Sequence, residues 1–571
     1  MKSIFQRALR NHNIQALVVL CVGALLALWL YHEPKLLLDD WAQIISDSVF
    51  GNMRWVEWSR RRPLDWFAHQ AIISLFGINI PVFYLANFII VLGVFYMVYI
   101  LADRLLPGLY PYSLVVALIA MIYPADLSLT WITMINIRLS WLVTLFGMWL
   151  LLEYANRGGV WRLILAGLCT FLPLWAYEGS IGIITAWCIL LAIISRQAPL
   201  PRRLALLTPL LLIASFGAMR IIIRPMMGIG DSNVNSFYNV SFDLLIDRLA
   251  QIVILIYAWI QPFLEVLNRF GLSGLATRVT LVGVSFLIVI CILVMYAFLR
   301  ISRLVDNPPF SASEKVRRAN TLGGVILIAI IFVFAGYVPM LLIYAPNLED
   351  VSSRANMYAI PGSAAIITAL IGLIAVVIAK SNKQWQAMVW AGTIPLIILG
   401  LGTQIHIHQR EQLAWHAQKT IWHELFQIAP NFEDGTTVVL LMPGNKQLGI
   451  GERPPLSAEW EVNHALKVLY ENNTLTGRII FPRAEFYSEA RLTPDGVLGA
   501  RQQIATPFAE TVFIKYNPKN GTVSLVQNLR IELGLSFNVS SYEPLNRIWP
   551  IPRPTWRYRY LIENPDVFDI R

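Results

Sequence analysis

Runs of about twenty apolar residues recur between residues 13 and 404, each long enough to cross roughly 30 Å of hydrocarbon as a helix. No water is available inside a bilayer, so a continuous apolar run can cross only with its backbone bonded internally, as a helix. The spacing predicts spans at 13–31, 82–101, 110–124, 137–153, 160–177, 180–196, 203–222, 279–299, 320–343, 359–379 and 388–404. Only 14% of the residues are charged, against about 25% in soluble domains, which excludes a purely soluble protein. From about residue 405 the apolar runs shorten to strand length and Pro, Asn and Glu become frequent. The expected fold is therefore an all-α polytopic membrane domain over 1–404 and a soluble α/β or α+β domain over 405–571.

Charge fixes the expected topology. Residues 405–571 hold 17 Lys and Arg against 17 Asp and Glu, so the net charge of +10 belongs to the membrane domain. There it suits topology or anionic lipid rather than nucleic acid. Basic residues cluster before the first span (Lys2, Arg7, Arg10), at 196–203 (Arg196, Arg202, Arg203) and at 300–319 (Arg300, Arg303, Lys315, Arg317, Arg318). A twelfth apolar stretch, 249–265, contains Gln251, Gln261, Pro262 and Glu265. Counting it as a span puts the 300–319 loop outside. Reading it as re-entrant places every basic segment on one side, leaving about eleven transmembrane helices, a cytoplasmic N-terminus and an extracytoplasmic C-terminal domain. The first run ends in Leu-Tyr-His-Glu-Pro without a small-residue cleavage site and reads as a retained span. Cys21, Cys169, Cys188 and Cys291 all lie in apolar spans, which leaves no disulfide framework or Cys-type zinc site.

This topology gathers acids on the outer face: Asp39 and Asp40, Asp126, Glu178, Glu349 and Asp350. Carboxylates at span ends are costly and often functional, with solvated loops as the plain alternative. The first outer loop, 32–66, is the richest. It opens with Asp39-Asp40-Trp41, continues with Trp41, Ile44, Ile45 and Val49 on one helical face, and closes with Arg60-Arg61-Arg62-Pro63-Leu64-Asp65-Trp66. The amphipathic part, with Trp55, Trp58 and Trp66, reads as helices on the outer leaflet. One Asp can cap a helix, but capping does not account for two acids, or for three arginines where positive charge is disfavoured. An anionic ligand accounts for both: arginine forks bind phosphate, and a neighbouring carboxylate can deprotonate an acceptor hydroxyl.

An acidic pair opening the first outer loop, followed by Arg-Pro-Leu and interfacial helices, resembles the GT-C superfamily of membrane glycosyltransferases that use polyprenyl-phosphate sugars. The resemblance covers the layout of the membrane domain. It implies inverting sugar transfer from a polyprenyl-phosphate donor to an envelope glycan, lipid or protein, in the inner membrane. It also implies Asp39 or Asp40 as base, the first acid being the usual one, and Asp126 as the second-loop acid. Glu178 is a further catalytic candidate. Arg61, Arg62, Arg138 and Arg354 are candidates for holding the donor phosphate, with headgroup contact or pairing with Asp126 the alternatives for Arg138. Arg220 and Arg224 read as headgroup contacts. No cofactor is called for, and no metal ligands are assigned: His406, His408, His416 and His423 read as an interfacial helix. A lipid-linked-glycan flippase, or a polymerase or ligase, is the alternative. Internal repeats, common in transporters, are absent from the sequence.

Overall fold

A computed structural model describes residues 12–29, 35–37, 39–50, 62, 64–65, 67–126, 128–223, 226, 242–259, 309–341, 351–443, 455–481, 490–499, 504–533, 539, 542–549 and 562. The described chain is mostly helical, with a strand-containing C-terminal domain. Among the described residues, six helices are long and apolar enough to cross a membrane: Ile80–Leu105, Ile132–Arg157, Leu200–Ile223, Ala312–Leu341, Ile360–Ile378 and Asn382–Ile428. They coincide with six of the expected spans. Four more expected spans are shorter apolar helices, His12–Ala27, Tyr112–Met121, Val160–Trp175 and Glu178–Ile194. The eleventh, 279–299, lies outside the described residues. Of the eleven expected spans, six are thus present as helices of full length among the described residues and four as shorter apolar helices.

Leu211, Leu327, Val377 and Ile398 are exposed on these helices, as apolar side chains of a membrane-spanning helix are toward lipid. The helix Tyr112–Met121 is buried along its whole length and packs against Ile80–Leu105, Ile360–Ile378 and Asn382–Ile428. Close approach elsewhere relies on small residues, as membrane helix pairs do. A Cβ at Gly182 would run into the Ala335 carbonyl oxygen. The 249–265 stretch is described to residue 259. It is broken into short pieces, Phe242–Ala250, Gln251–Val253 and Ile254–Tyr257, held to the core where Tyr123 Oη donates 2.9 Å to the Leu255 carbonyl.

The C-terminal domain carries a four-stranded sheet of β1 (Thr437–Leu441), β2 (Thr476–Ile480), β3 (Thr511–Asn517) and β4 (Thr522–Leu525). Fully buried β1 lies in the middle, parallel to β2 and β3, and β4 closes the edge antiparallel to β3. Parallel neighbours need a crossover, and the helix Glu459–Leu469 lies between β1 and β2 in sequence and packs on β2. The expected strands and hairpin are therefore present, as a mixed α/β arrangement.

The outer-leaflet reading is corrected for the first part of the loop, Trp41–Ser46. Trp41, Ile44 and Ile45 are fully buried, and the segment Trp41–Ser46 packs on the helix Glu459–Leu469 of the C-terminal domain. The apolar face is real, but its partner is protein. Trp55, Trp58 and Trp66 lie outside the described residues. Two polar ties secure the join. Trp41 Nε1 donates 3.3 Å to Gln418 Oε1, and Gln418 Nε2 donates 2.7 Å to Glu461 Oε1. Deeper in, the buried Lys35 Nζ lies 2.5 Å from Glu411 Oε2, and Glu411 also accepts from Thr130 and Trp131 at 2.9 and 2.8 Å.

Candidate functional site

The acidic pair divides at a tight turn. Asp40 N donates to the Leu37 carbonyl at 3.0 Å, and Leu37 N returns a 3.0 Å bond to Asp40 Oδ2. Thr133 N reaches Asp40 Oδ1 at 3.2 Å. With both oxygens occupied by backbone donors, Asp40 is a buried structural group. Asp39, its neighbour, points the other way and keeps a partly exposed carboxylate. Arg354 Nη1 stands 3.8 Å from Asp39 Oδ2, and Trp460 Nε1 donates 2.8 Å to Oδ1.

Burial pushes the Asp40 carboxyl from 3.8 up to about 8, against the Leu37 and Thr133 N–H groups and with some help from the Asp39 charge. The sign of the consequence is fixed: the fold favours the neutral acid. That stabilisation is complete below 3.8 and is lost as pH climbs to about 8. The expected result is a melting temperature that falls as pH rises through this window, and an Asp40→Asn variant in which the slope flattens. An unchanged slope in the variant contradicts the assignment.

Next to Asp39 lies a second ionic group. Arg62 opens a turn in which Asp65 N donates to the Arg62 carbonyl at 3.0 Å. The turn is tied to the next helix pair through Leu64 N and the Trp175 carbonyl, 3.4 Å apart. The following helix, Phe67–Phe76, is pinned where Ala68 N donates 3.1 Å to Asn136 Oδ1. Arg62 Nη2 bonds Glu178 Oε1 at 2.8 Å, Arg220 Nη1 lies 3.1 Å from Glu178 Oε2, and the Arg62 guanidinium sits 4.8 Å over the Tyr177 ring. Burial alone would raise the Glu178 carboxyl, but Arg62 and then Arg220 outweigh it and hold it at about 2. Asp65 joins the two groups. Burial raises it most, Arg62 and Arg354 pull it down, Glu178 and Asp39 push it up, and the balance leaves it at about 6.

Tyr358 packs on this cluster, its ring stacked 6.2 Å from Tyr177. Its buried hydroxyl has no hydrogen-bond partner among the described residues. A buried unpaired hydroxyl is costly, and this one has a hydrogen bond left to give. Gly179 makes the packing possible: a Cβ there would lie 2.7 Å from Met340 Cε and would also strike the Tyr358 ring. Arg354 is carried by the turn Val351–Asn356, fixed where Asn356 receives 2.7 Å from Tyr337 Oη and donates 2.9 Å to the Ala125 carbonyl.

Of the residues singled out in sequence, the structure brings Asp39, Arg62, Glu178 and Arg354 together. It adds Asp65, Arg220, Tyr358 and Trp460. Arg220 was read as a headgroup contact but pairs with Glu178. Asp126 and Arg138 form a separate knot. Asp126 Oδ1 accepts from Ser128 N and Oγ at 2.9 and 2.6 Å. Arg138, fully enclosed, donates to Asn87 Oδ1 at 2.7 Å and to the Ser128 and Trp131 carbonyls. That arrangement locks the second loop and leaves the Arg138 fork committed, contrary to a phosphate-holding role. Arg61, Arg224, Glu349 and Asp350 lie outside the described residues. Among the described residues, no group of three or more His, Cys, Asp or Glu side chains could hold a metal ion. No model of a known protein family matches the chain, and no curated protein does.

Proposed function

We propose that this protein is a membrane glycosyltransferase that moves a sugar from a polyprenyl-phosphate donor to an envelope acceptor. One observation carries the reading. Three arginines (Arg62, Arg220, Arg354) and three carboxylates (Asp39, Asp65, Glu178) from five segments of the chain meet beside the ends of apolar helices. Ionic groups are costly to gather there, and such clusters commonly mark functional sites. In this reading Asp39 takes the proton from an acceptor hydroxyl as its oxygen attacks the sugar's anomeric carbon. The bond from that carbon to the phosphate oxygen breaks, the electron pair leaves with the polyprenyl phosphate, and the anomeric centre inverts. Arg354, beside Asp39, meets the charge growing on the leaving phosphate, and Arg62 and the Tyr358 hydroxyl complete its cradle.

The same reading sets about eleven spans in the inner membrane, a cytoplasmic N-terminus and the soluble domain outside. A reporter fused after residue 430 tests the orientation: activity of the extracytoplasmic type is expected, and activity of the cytoplasmic type overturns it. For the activity, purified protein in nanodiscs is incubated with envelope lipids and followed by mass spectrometry. The expected result is loss of one polyprenyl-phosphate sugar, matched by gain of free polyprenyl phosphate and by one missing sugar in the envelope glycans of a deletion strain. Unchanged lipids and glycans reject the proposal.

A further inference from the structure

Trp460 belongs to the soluble domain, yet its indole reaches the membrane domain's first outer loop. It donates 2.8 Å to Asp39 Oδ1, while Arg354 faces Oδ2. One carboxylate is therefore held from two domains. Trp460 is itself firmly placed. Ala458 is fully buried within the same apolar core as the membrane helices, and the Trp460 ring packs against that core. One residue further on, Glu461 accepts from Gln418 Nε2 at 2.7 Å and from Ser457 N at 2.9 Å. The helix that carries Trp460 also buries Trp41, Ile44 and Ile45, which directly follow the acidic pair. An indole N–H only donates and carries no charge. It can orient one carboxylate oxygen without competing for a proton.

We propose that Trp460 is a positioning residue through which the C-terminal domain orients the Asp39 carboxylate for proton abstraction. The inference rests on the reading of Asp39 as the base and gives the soluble domain a part in that site. It also predicts that transfer is faster when the two domains are docked, because the base is oriented by a bond between them.

The test compares Trp460→Phe, which keeps an aromatic ring but no N–H, with Trp460→His, which keeps a ring N–H. Both are made in the full chain in nanodiscs, and melting temperature checks the fold; Trp460→Leu replaces the phenylalanine variant should it aggregate. The first readout needs no sugar substrate: the rate at which a water-soluble carbodiimide labels Asp39, followed by peptide mass spectrometry. Loss of one bond to a charged group should raise labelling about tenfold in Trp460→Phe, with Trp460→His nearer the wild type. The second readout is transfer from envelope polyprenyl-phosphate sugars, where kcat falls about tenfold and the donor KM stays unchanged. Unchanged labelling in Trp460→Phe, or an equal loss in both variants, overturns the proposal. Labelling that rises in a protein whose wild type transfers no sugar instead rejects the glycosyltransferase reading, and leaves standing only that Trp460 orients the Asp39 carboxylate.

Discussion

Asp39→Asn lowers sugar transfer by about 10²–10⁴-fold, the usual contribution of a general base, while the protein remains folded and donor binding is nearly unchanged. The carboxylate is partly exposed, and an amide at this position keeps an acceptor oxygen for the Trp460 N–H. Asp40→Asn behaves oppositely. Both Asp40 oxygens accept backbone N–H groups, and an amide offers only one acceptor oxygen. One buried N–H is left unpaired, at a cost of about 1–3 kcal/mol. That variant therefore loses melting temperature and yield, while transfer per folded molecule is largely retained. Arg354→Gln supplies the third contrast: it weakens binding of a polyprenyl monophosphate by at least about tenfold, the loss of one charge-assisted contact. Turnover in detergent-purified protein, normalised to the folded fraction by size exclusion, separates the three. Full activity in Asp39→Asn removes Asp39 from the chemistry.

Glu178→Gln is expected to be the most damaging single change to the fold. The carboxylate stands between Arg62 and Arg220, all three largely buried. Removing one side of a buried ion pair costs about 3–5 kcal/mol, because the remaining charge is left uncompensated. The depressed Glu178 carboxyl gives the same sign: its stabilisation is present above the ordinary 4.5 and lost only as pH falls toward about 2. Adding Arg220→Gln to Glu178→Gln removes one stranded charge, so the double variant should melt above the Glu178 single variant. Thermal melts of the two singles and the double close the cycle. Additive losses would mean that Arg220 and Glu178 do not act as a pair.

The long spans were legible because about twenty apolar residues in a row admit few alternatives, as Ile80–Leu105 and Ile360–Ile378 illustrate. The strands β1 to β4 were legible from short β-branched runs between Pro, Gly and Asn turns. The site was legible only in part. Acids and arginines at span ends pointed to Asp39, Arg62, Glu178 and Arg354, but spacing along the chain does not say which way neighbouring side chains turn. Asp39 and Asp40 differ only through the turn at Leu37. Asp126 and Arg138 have the same sequence character as the site residues, yet a three-residue turn at Ser128 commits them to each other's surroundings. Periodicity revealed an apolar face on Trp41, Ile44 and Ile45 but not whether lipid or protein covers it. Trp460 sits in no motif, and its role depends on docking between segments more than four hundred residues apart in the chain.

The central claim is that the cluster of arginines and carboxylates holds a phosphate-linked lipid with Asp39 facing its sugar side. The most direct measurement is a structure of the full chain in nanodiscs with a polyprenyl monophosphate bound. The account predicts phosphate within hydrogen-bonding reach of Arg354 and Arg62, next to the Tyr358 hydroxyl, with Asp39 at the open edge. A headgroup held elsewhere, with the Asp39–Arg354 and Arg62–Glu178–Arg220 contacts undisturbed, would contradict it.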